Sequence, residues 1–334
     1  MEGQMGLSRE ELLADFLGKA GWSSADRKVL AADASFRRYD RLHLDGRPAV
    51  LMDAPPPRED VRPFLRIARH LLGLGYSAPA ILAEDAEAGF LLLEDLGDAT
   101  FTRLMNAGEA ELPLYRMAVD LLIDLHKQPV PEGIAAAYDR ETLLTEVSLL
   151  TDWYAPAVGI ALDHQARAAY LAAWSDVLPL AHKVPGSLVL RDFHVDNLMR
   201  LDGRDGVAAC GLLDFQDALV GPVTYDLVSL LEDARRDISP QTRAEGRGRY
   251  LAAFPELDET DFDASWACLA AQRHAKVIGI FTRLCKRDGK PTYLRHVPRL
   301  WRLLAEAVHH PGLAPVKSWL DRHIPADRRS VPSP

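Results

Sequence analysis

Two short segments that follow apolar runs carry the residues best suited to chemistry. Asp192 comes just after the apolar run 188–190, and Asn197 follows five residues later. A second run, 211–213, ends at Asp214. One carboxylate can accept the proton of an attacking hydroxyl, and an amide with a second carboxylate offers oxygen atoms to Mg²⁺. Because phosphoryl transfer depends on alignment and charge neutralisation, three such groups on rigid turns suit that reaction.

The overall charge and composition exclude several classes of protein. The chain has 334 residues, of which 48% are hydrophobic and 26% charged, with a formal net charge of -9. These values are typical of a globular enzyme, and the length allows two linked lobes. Because no basic block offsets the negative charge, we expect no nucleic-acid partner. A nucleotide carried with Mg²⁺ remains compatible, since local charge decides such binding.

The cysteines and the apolar runs bear on cellular location. Cys210, Cys268 and Cys285 are widely spaced and match neither a disulfide framework nor a zinc pattern. No apolar run is long enough to span a bilayer, and the N-terminus is not a positively charged signal. We therefore expect a cytoplasmic protein with reduced cysteines and no membrane partner.

The first hundred residues have the pattern of a small sheet with few helices. Ser8 and Glu11 form a capping box ahead of an apolar helical stripe, and Asp45–Gly46 signals a two-residue hairpin turn. Apolar spacing predicts a helix over 61–74. Strands are predicted around 28–32, 39–44, 49–52, 81–84 and 90–94.

After Gly97 the apolar spacing becomes that of helices, and the two motif segments lie between them, joined by a glycine-rich turn at 202–206. Helices are predicted over 114–125, 143–154, 166–178, 266–285 and 297–308. The pattern predicts an α+β fold with two lobes. The small mixed N-terminal lobe covers 1–96, the large helical lobe covers 97–325, and 326–334 form a flexible tail.

The motif segments resemble those of a known superfamily. The stretches 188–199 and 213–217, with weaker support from 283–290, resemble the aminoglycoside phosphotransferase and choline kinase superfamily, a branch of the protein-kinase-like fold. Within it, the chain looks most like bacterial kinases that phosphorylate the anomeric hydroxyl of N-acetylmuramate and N-acetylglucosamine in peptidoglycan recycling. The resemblance implies an ATP- and Mg²⁺-dependent enzyme that makes a sugar 1-phosphate. It also implies that the N-terminal lobe binds the nucleotide and the C-terminal lobe the sugar.

The resemblance implies a role for each motif residue. Asp192 is the expected catalytic base, and Asn197 and Asp214 are the expected Mg²⁺ ligands. Taken singly, each is also compatible with ordinary turn chemistry. Asp226 is expected to brace the catalytic loop through buried hydrogen bonds, or to act as a simple helix cap.

The nucleotide is expected to contact a loop, a strand and a hinge. The loop 33–39 lacks a Gly-x-Gly-x-x-Gly pattern, so its hydroxyl, backbone and guanidinium groups are the expected phosphate contacts, unless it is only a solvated basic turn. The expected hinge to adenine is 94–96. The predicted nucleotide-binding residues are Ser35, Phe36, Arg37, Arg38, Met52, Leu93, Glu94 and Leu96.

One residue expected from the resemblance is missing. The phosphate-binding Lys of the superfamily falls near Met52, and the following helix lacks its Glu partner. We hypothesise that Arg37, Arg38 or Arg66 supplies the positive charge instead.

The sugar is expected to contact the helical lobe. Polar groups that bind hydroxyls and an aromatic ring that stacks on the sugar are the chemistry required. Arg191 can equally neutralise Asp192, reach a phosphate or form a structural salt bridge, and His194 can equally have a packing role. The predicted substrate-binding residues are Glu146, Trp153, Arg191, His194, Asp217 and Arg283, and structural roles remain open for all of them.

Three other functions are compatible with the sequence. The acceptor can be an aminoglycoside, choline or another small alcohol. The missing Lys is compatible with a pseudokinase that binds nucleotide without turnover, although the complete set of Asp192, Asn197 and Asp214 favours an enzyme. A metal hydrolase is less favoured, because the histidines lack ligand spacing.

Overall fold

The computed structural model describes residues 7–32 and 36–334, which form two compact units. The first unit contains residues up to 104 together with 196–217, and the second contains 105–195 together with 218–334. In chain order the helices and strands are α1 (Arg9–Lys19), β1 (Asp26–Ala32), β2 (Arg38–Leu44), β3 (Arg47–Asp53), α2 (Arg62–Gly73), β4 (Ile81–Asp85), β5 (Phe90–Glu94), α3 (Phe101–Asn106), α4 (Glu111–Lys127), α5 (Arg140–Leu149), α6 (Ala155–Ala157), α7 (His164–Val177), β6 (Gly186–Val189), β7 (Leu198–Arg200), β8 (Cys210–Leu212), β9 (Leu219–Pro222), α8 (Thr224–Leu231), α9 (Pro240–Ala253), α10 (Glu259–Asp288), α11 (Val297–Ala307) and α12 (Ala314–His323). Antiparallel strands followed by many helices confirm the predicted α+β class.

A five-stranded antiparallel sheet, in the order β1-β2-β3-β5-β4, organises the first unit. The turn between β2 and β3 is formed by Asp45 and Gly46, whose φ angles of 50° and 76° suit the right-handed twist of a hairpin. The capping box is present, because the Ser8 side chain accepts from the Glu11 backbone and the Glu11 side chain accepts from the Ser8 backbone. Both local predictions are therefore confirmed.

The two faces of β3 serve different purposes. Ala49 and Leu51 lie fully buried in the apolar cluster that α1 closes. Val50 and Met52, which alternate with them, point to the opposite face of the sheet. This face is where a cavity lies, so the period of two along one strand separates the core from the cavity.

Residues 196–217 pack with the first unit, although the sequence placed them in the C-terminal lobe. The strands β7 and β8 pair with each other, and isolated bridges join Met199 to Thr100 and Gly211 to Ser77. A side chain at Gly211 would bring its Cβ to 3.0 Å from the Cβ of Met199, so glycine permits this close pairing. The compact units therefore differ from the predicted boundary at residue 96, since backbone pairing is invisible in local sequence patterns.

The helix α10 is the longest element of the second unit, with 30 residues. Asp258 caps its start, accepting from the Asp261 N–H at 2.9 Å, and Gly289 in the left-handed conformation ends it. At Gly279 an added Cβ would lie 2.3 Å from the carbonyl carbon of Leu149. Glycine therefore allows α10 to approach the end of α5 closely, where a π-helical segment, Leu150–Tyr154, begins.

The C-terminal residues differ from the predicted flexible tail. The Tyr154 hydroxyl donates to the carbonyl of Ser330 at 2.8 Å, and the Arg329 guanidinium lies 4.9 Å from the ring centroid of Trp301. Aromatic partners distant in sequence therefore anchor this segment. In the described part of the chain, no helix has the length and apolarity needed to span a membrane.

Candidate active site

A cavity of about 360 Å³ lies within the first unit, a volume suited to a small molecule. Its walls are mainly apolar, and its polar groups cluster at one end and along the segment after β5. Of the predicted nucleotide-binding residues, Met52, Leu93, Glu94 and Leu96 line it. The expected metal ligands Asn197 and Asp214 line it too, with Gln216.

The segment after β5 is fixed by an arginine from β2. The Arg41 guanidinium donates to Asp95 at 3.0 Å, to Asp98 at 2.8 Å and to the carbonyl of Gly97 at 3.2 Å. The hydrogen bond to Asp98 raises the pKa of Arg41, and the hydrogen bond to Asp95 adds to this effect. Together they outweigh burial, which lowers the pKa. The backbone that borders the cavity is therefore held in place by buried and half-buried ion pairs.

The Glu94 side chain is engaged away from the cavity. Its carboxylate accepts from Arg204 and from the backbone N–H of Ala80. Arg204 also donates to the hydroxyl of Ser77 at 2.7 Å. Glu94 therefore lines the cavity with its carboxylate already paired to other groups of the first unit.

The predicted phosphate-binding loop is only partly described, and Ser35 lies outside the described residues. Phe36 is 62% exposed, and its backbone N–H donates to Glu59 at 3.0 Å. Arg37 forms an ion pair with the same Glu59 at 3.4 Å. Arg38 donates to Asp40 at 3.0 Å from a half-exposed position.

The replacement proposed for the missing Lys is not visible in the cavity. Arg37, Arg38 and Arg66 do not line it, and Arg66 lies on the exposed side of α2. Met52 is 1% exposed and occupies the place where the resemblance implies Lys. Among the described residues that line this cavity, there is no Lys, Arg or His.

The polar end of the cavity brings Asn197 and Asp214 together. The Asn197 carbonyl accepts from the Leu213 N–H at 2.9 Å, which aligns the two segments. The Asn197 amide lies 3.4 Å from one oxygen of Asp214, and the Gln216 amide donates to the other at 2.7 Å. Asp214 has a φ of 58°, a left-handed conformation that is rare for a residue with a side chain. Such local strain is often found at functional positions.

The expected base, Asp192, lies in the second unit on the segment after β6. Arg191, just before it, also has a left-handed backbone, with a φ of 68°. The buried carboxylate of Asp226 accepts from the backbone N–H groups of Leu190 at 2.6 Å and Arg191 at 2.9 Å. Burial raises the pKa of Asp226 to about 7, against the opposing effect of these two hydrogen bonds and of Arg273. This geometry has the form of the brace that the resemblance implies.

Glu146 is the centre of a buried hydrogen-bond cluster. One of its oxygens accepts from Arg191 and, at 2.7 Å, from Lys276. The other accepts from the Tyr138 hydroxyl and, at 2.8 Å, from the Gln272 amide. Burial raises the pKa of Glu146, but Lys276 and Arg191 outweigh burial and lower it. With four donors and 7% exposure, Glu146 is better suited to orienting Arg191 and Lys276 than to contacting a sugar.

A second contact from α10 reaches the backbone of Arg191. Arg273 donates to the hydroxyl of Ser229 at 2.6 Å, and this hydroxyl donates to the Arg191 carbonyl at 3.3 Å. Burial raises the pKa of Asp192, but electrostatic interactions with His194 and with the cations Arg273, Lys276 and Arg191 outweigh burial, so this pKa lies below its ordinary value. Asp192 is therefore held as a carboxylate.

His194 is buried, and its Nε2 lies 3.3 Å from the Arg235 guanidinium. Burial, reinforced by Arg235, lowers the pKa of His194 to about 4, so the ring is neutral near pH 7. Because a guanidinium only donates, Nε2 must accept and the proton must be on Nδ1. This pairing suits a positioning role for His194.

The remaining predicted substrate residues are dispersed. Trp153 lies half-buried in the π-helical segment, and Arg283 lies half-buried on α10. Asp217 belongs to the first unit, where it is exposed beside Gln216. The structure therefore joins Glu146 and Arg191 directly and leaves the others outside that cluster.

Sequence reasoning missed Gln272, Arg273 and Lys276. All three are at least nine-tenths buried on one long helix, in a stretch that is apolar apart from these residues and the buried His274. Lys276 follows Arg273 by three positions and Gln272 by four, so all three lie on one side of the helix. Polar residues with this spacing on an otherwise buried helix indicate a buried polar stripe. That signal was present in the sequence, although it does not identify Glu146 as the partner.

Comparison with known proteins identifies the family. The profile of the Phosphotransferase enzyme family matches residues 26–262. The chain belongs to this family. An N-acetylmuramate/N-acetylglucosamine kinase from Caulobacter vibrioides is 37% identical, over 96% of this chain and 98% of that protein. Proteins of the same name from Pseudomonas aeruginosa and Neisseria meningitidis are 41% and 38% identical, over 91% and 88% of this chain and 91% and 90% of their own lengths.

Solved structures share the fold at low sequence identity. Aminoglycoside 2'-phosphotransferase-IIIa in complex with GDP has a TM-score of 0.62 and 14% identity, and the match covers 90% of this chain and 99% of that one. Choline kinase from Cryptosporidium parvum has a TM-score of 0.60 and 12% identity, covering 93% and 99%. These similarities confirm the predicted two-lobed protein-kinase-like fold.

Proposed function

We propose that this protein is a kinase that phosphorylates the anomeric hydroxyl of N-acetylmuramate and N-acetylglucosamine, with ATP as the donor. The observation that carries the proposal is the similarity to kinases of these two sugars, at 37–41% identity and over 88–96% of the chain. The product is a sugar 1-phosphate, in keeping with a role in peptidoglycan recycling.

Asp192 is the proposed base. The hydroxyl oxygen attacks the γ-phosphorus, the bond from that phosphorus to the β-bridging oxygen breaks, and ADP leaves. The hydroxyl proton passes to Asp192, which needs only weak basicity because the transition state is loose. A carboxylate whose pKa is lowered by surrounding cations fits this task, since its main work is to orient the hydroxyl.

Asn197 and Asp214 are the proposed ligands of Mg²⁺. Their side chains lie 3.4 Å apart, and a 180° flip of the Asn197 amide presents its oxygen instead of its nitrogen. One amide oxygen and one carboxylate, completed by phosphate oxygens, are a donor set that Mg²⁺ accepts. When bound, Mg²⁺ neutralises charge that develops on the phosphates. The donor chemistry therefore fits the metal.

The cavity of the first unit is the proposed nucleotide site. Val50, Met52 and Leu93 give an apolar surface suited to adenine, and the backbone at 95–97 offers polar groups along its edge. The polar end with Asp214 then corresponds to the phosphates. Phe36, Arg37 and Arg38 remain proposed phosphate contacts, because backbone N–H groups and guanidinium groups bind phosphate oxygens.

The test is an acceptor panel with the purified protein, ATP and Mg²⁺. The panel contains N-acetylmuramate, N-acetylglucosamine, choline and kanamycin, and ³¹P NMR identifies the phosphorylated atom. We expect a 1-phosphate of both amino sugars and no product from the other two. A product from choline or kanamycin alone would change the acceptor class. Tight nucleotide binding without any product would favour the pseudokinase. The structural reason to consider that alternative is the buried Met52, which occupies the position where Lys is expected.

A further inference from the structure

Arg283 on α10 is a half-buried cation that forms no ion pair within the described part of the chain. Its Nε is buried with no hydrogen-bond partner, and no hydrogen bond or ion pair of its guanidinium is found in the described part of the chain. Nearby arginines of the same helix are paired, Arg273 with Ser229 and Arg287 with Asp288. Burial, reinforced by Arg287, lowers the pKa of Arg283 and outweighs the opposing effect of Asp288. Leaving such a group uncompensated is costly, so an external anion is a natural partner.

Arg283 shares a helical face with the residues that surround Asp192. It follows Lys276 by seven residues, which is two turns and about 10 Å along the helix axis. Lys276 contributes to the positive potential at Asp192. Arg283 therefore lies on the same side of α10 as Lys276, two turns closer to the C-terminal end of the helix.

The pairing of α5 with α10 predicts an aromatic neighbour for Arg283. Glu146 contacts Lys276, and Leu149 lies against Gly279. In both contacts the α10 residue comes 130 positions after its partner on α5. Extending the same offset by four residues pairs Trp153, in the π-helical segment, with Arg283. Trp153 is half-buried, which leaves part of its ring available to a ligand.

We infer that Arg283 binds the carboxylate of N-acetylmuramate and so sets the preference between the two proposed sugars. The inference rests on the proposed function. Both sugars carry the same anomeric hydroxyl and acetamido group, but only N-acetylmuramate has an ether-linked lactyl carboxylate. A guanidinium recognises a carboxylate through two parallel hydrogen bonds. Trp153 stacks on the ring face that the two sugars share.

The experiment compares kcat/KM for the two sugars in Arg283→Met. We expect the value for N-acetylmuramate to fall about tenfold to a hundredfold, as for loss of one partner of a desolvated ion pair. The value for N-acetylglucosamine stays within a few-fold of the parent, and it also shows that the variant is folded. Arg283→Lys keeps the charge and should recover part of the loss. Arg287→Met, one turn further and exposed, is the matched control and should change neither value.

Trp153→Leu separates the two roles, because it should lower kcat/KM for both sugars by similar factors. Equal losses for both sugars in Arg283→Met, or no loss for either, would overturn the inference while the proposed function stands. Failure of the parent protein to phosphorylate either sugar would overturn the proposed function and this inference with it.

Discussion

Asp192 and Asp214 are both carboxylates on strained turns, yet their surroundings differ sharply. Asp192 lies among Arg191, Arg273 and Lys276, whose positions are fixed by buried hydrogen bonds. Asp214 borders a cavity whose described lining contains no Lys, Arg or His, and two amides contact its oxygens. The protein therefore supplies permanent positive charge to the first carboxylate but not to the cavity wall around the second.

This difference is compatible with the roles proposed for the two carboxylates, Asp192 as base and Asp214 as metal ligand. A base in a loose phosphoryl transfer must be oriented and ionised before the substrate arrives, so preorganised cations are useful there. A metal ligand needs its negative charge available to an incoming cation, and fixed cations beside it would compete. The presence of Met52 where Lys is expected extends the same division, because it leaves neutralisation of the phosphates to the proposed Mg²⁺ and to the proposed contacts Arg37 and Arg38.

The largest expected effect is the loss of kcat on removing the negative charge of the proposed base, Asp192. Asp192→Asn keeps the shape of the side chain but cannot accept the proton, so we expect kcat to fall by about 10²–10⁴. The dissociation constant of ATP, measured by calorimetry, should change less than a few-fold. A kcat within a few-fold of the parent would remove Asp192 from the role of base.

The next largest effect is on the Mg²⁺ dependence of activity, and it distinguishes the proposed metal ligand, Asp214, from the proposed base, Asp192. In Asp214→Asn the loss of one carboxylate ligand should raise the Mg²⁺ concentration for half-maximal activity by about tenfold or more. The same titration on residual activity of Asp192→Asn should give the parent's value. If both variants respond alike to Mg²⁺, the division of roles between the two regions is wrong.

A smaller effect tests the packing that holds the cations near Asp192. A Cβ in Gly279→Ala would lie 2.3 Å from backbone of Leu149, so α10 must move away from α5. We expect a loss of about 1–3 kcal/mol in the free energy of unfolding, together with a lower kcat, because the Glu146–Lys276 contact lies one turn away. Denaturant unfolding and steady-state kinetics measure the two effects.

The matched control for this variant is Gly248→Ala in α9. This position is exposed and has open space around an added Cβ, so the same change should stabilise the helix by about 0.5–1 kcal/mol. Unchanged stability in Gly279→Ala would mean that the close approach of the two elements is not required.

Interactions between neighbouring residues made much of the first unit predictable from the sequence. In the second unit many contacts join residues far apart in the sequence, and these were not predicted. The capping box at Ser8 and the turn at Asp45–Gly46 depend on neighbours, so the sequence alone was sufficient for them. The motif spacing also predicted roles for Asp192 and Asp214, and these roles stay predictions. The Glu146–Lys276 contact joins residues 130 positions apart, and no local pattern identifies such a pair. For the same reason the packing of residues 196–217 with the first unit was missed.

The smallest expected effect is a change in the pH dependence of kcat. It tests the comparison between Asp192 and Asp214 most directly. Lys276 helps to lower the pKa of Asp192, so the active carboxylate persists to lower pH in the parent protein. Lys276→Met should raise that pKa and move the acidic limb of the pH–kcat profile to higher pH, while kcat at pH 7.5, where the carboxylate stays ionised, should change less than in the preceding variants. Lys276→Arg keeps the charge and should restore the limb toward its original position. A kcat loss without any shift of the limb would mean that Lys276 supports packing around Glu146 but does not act on Asp192.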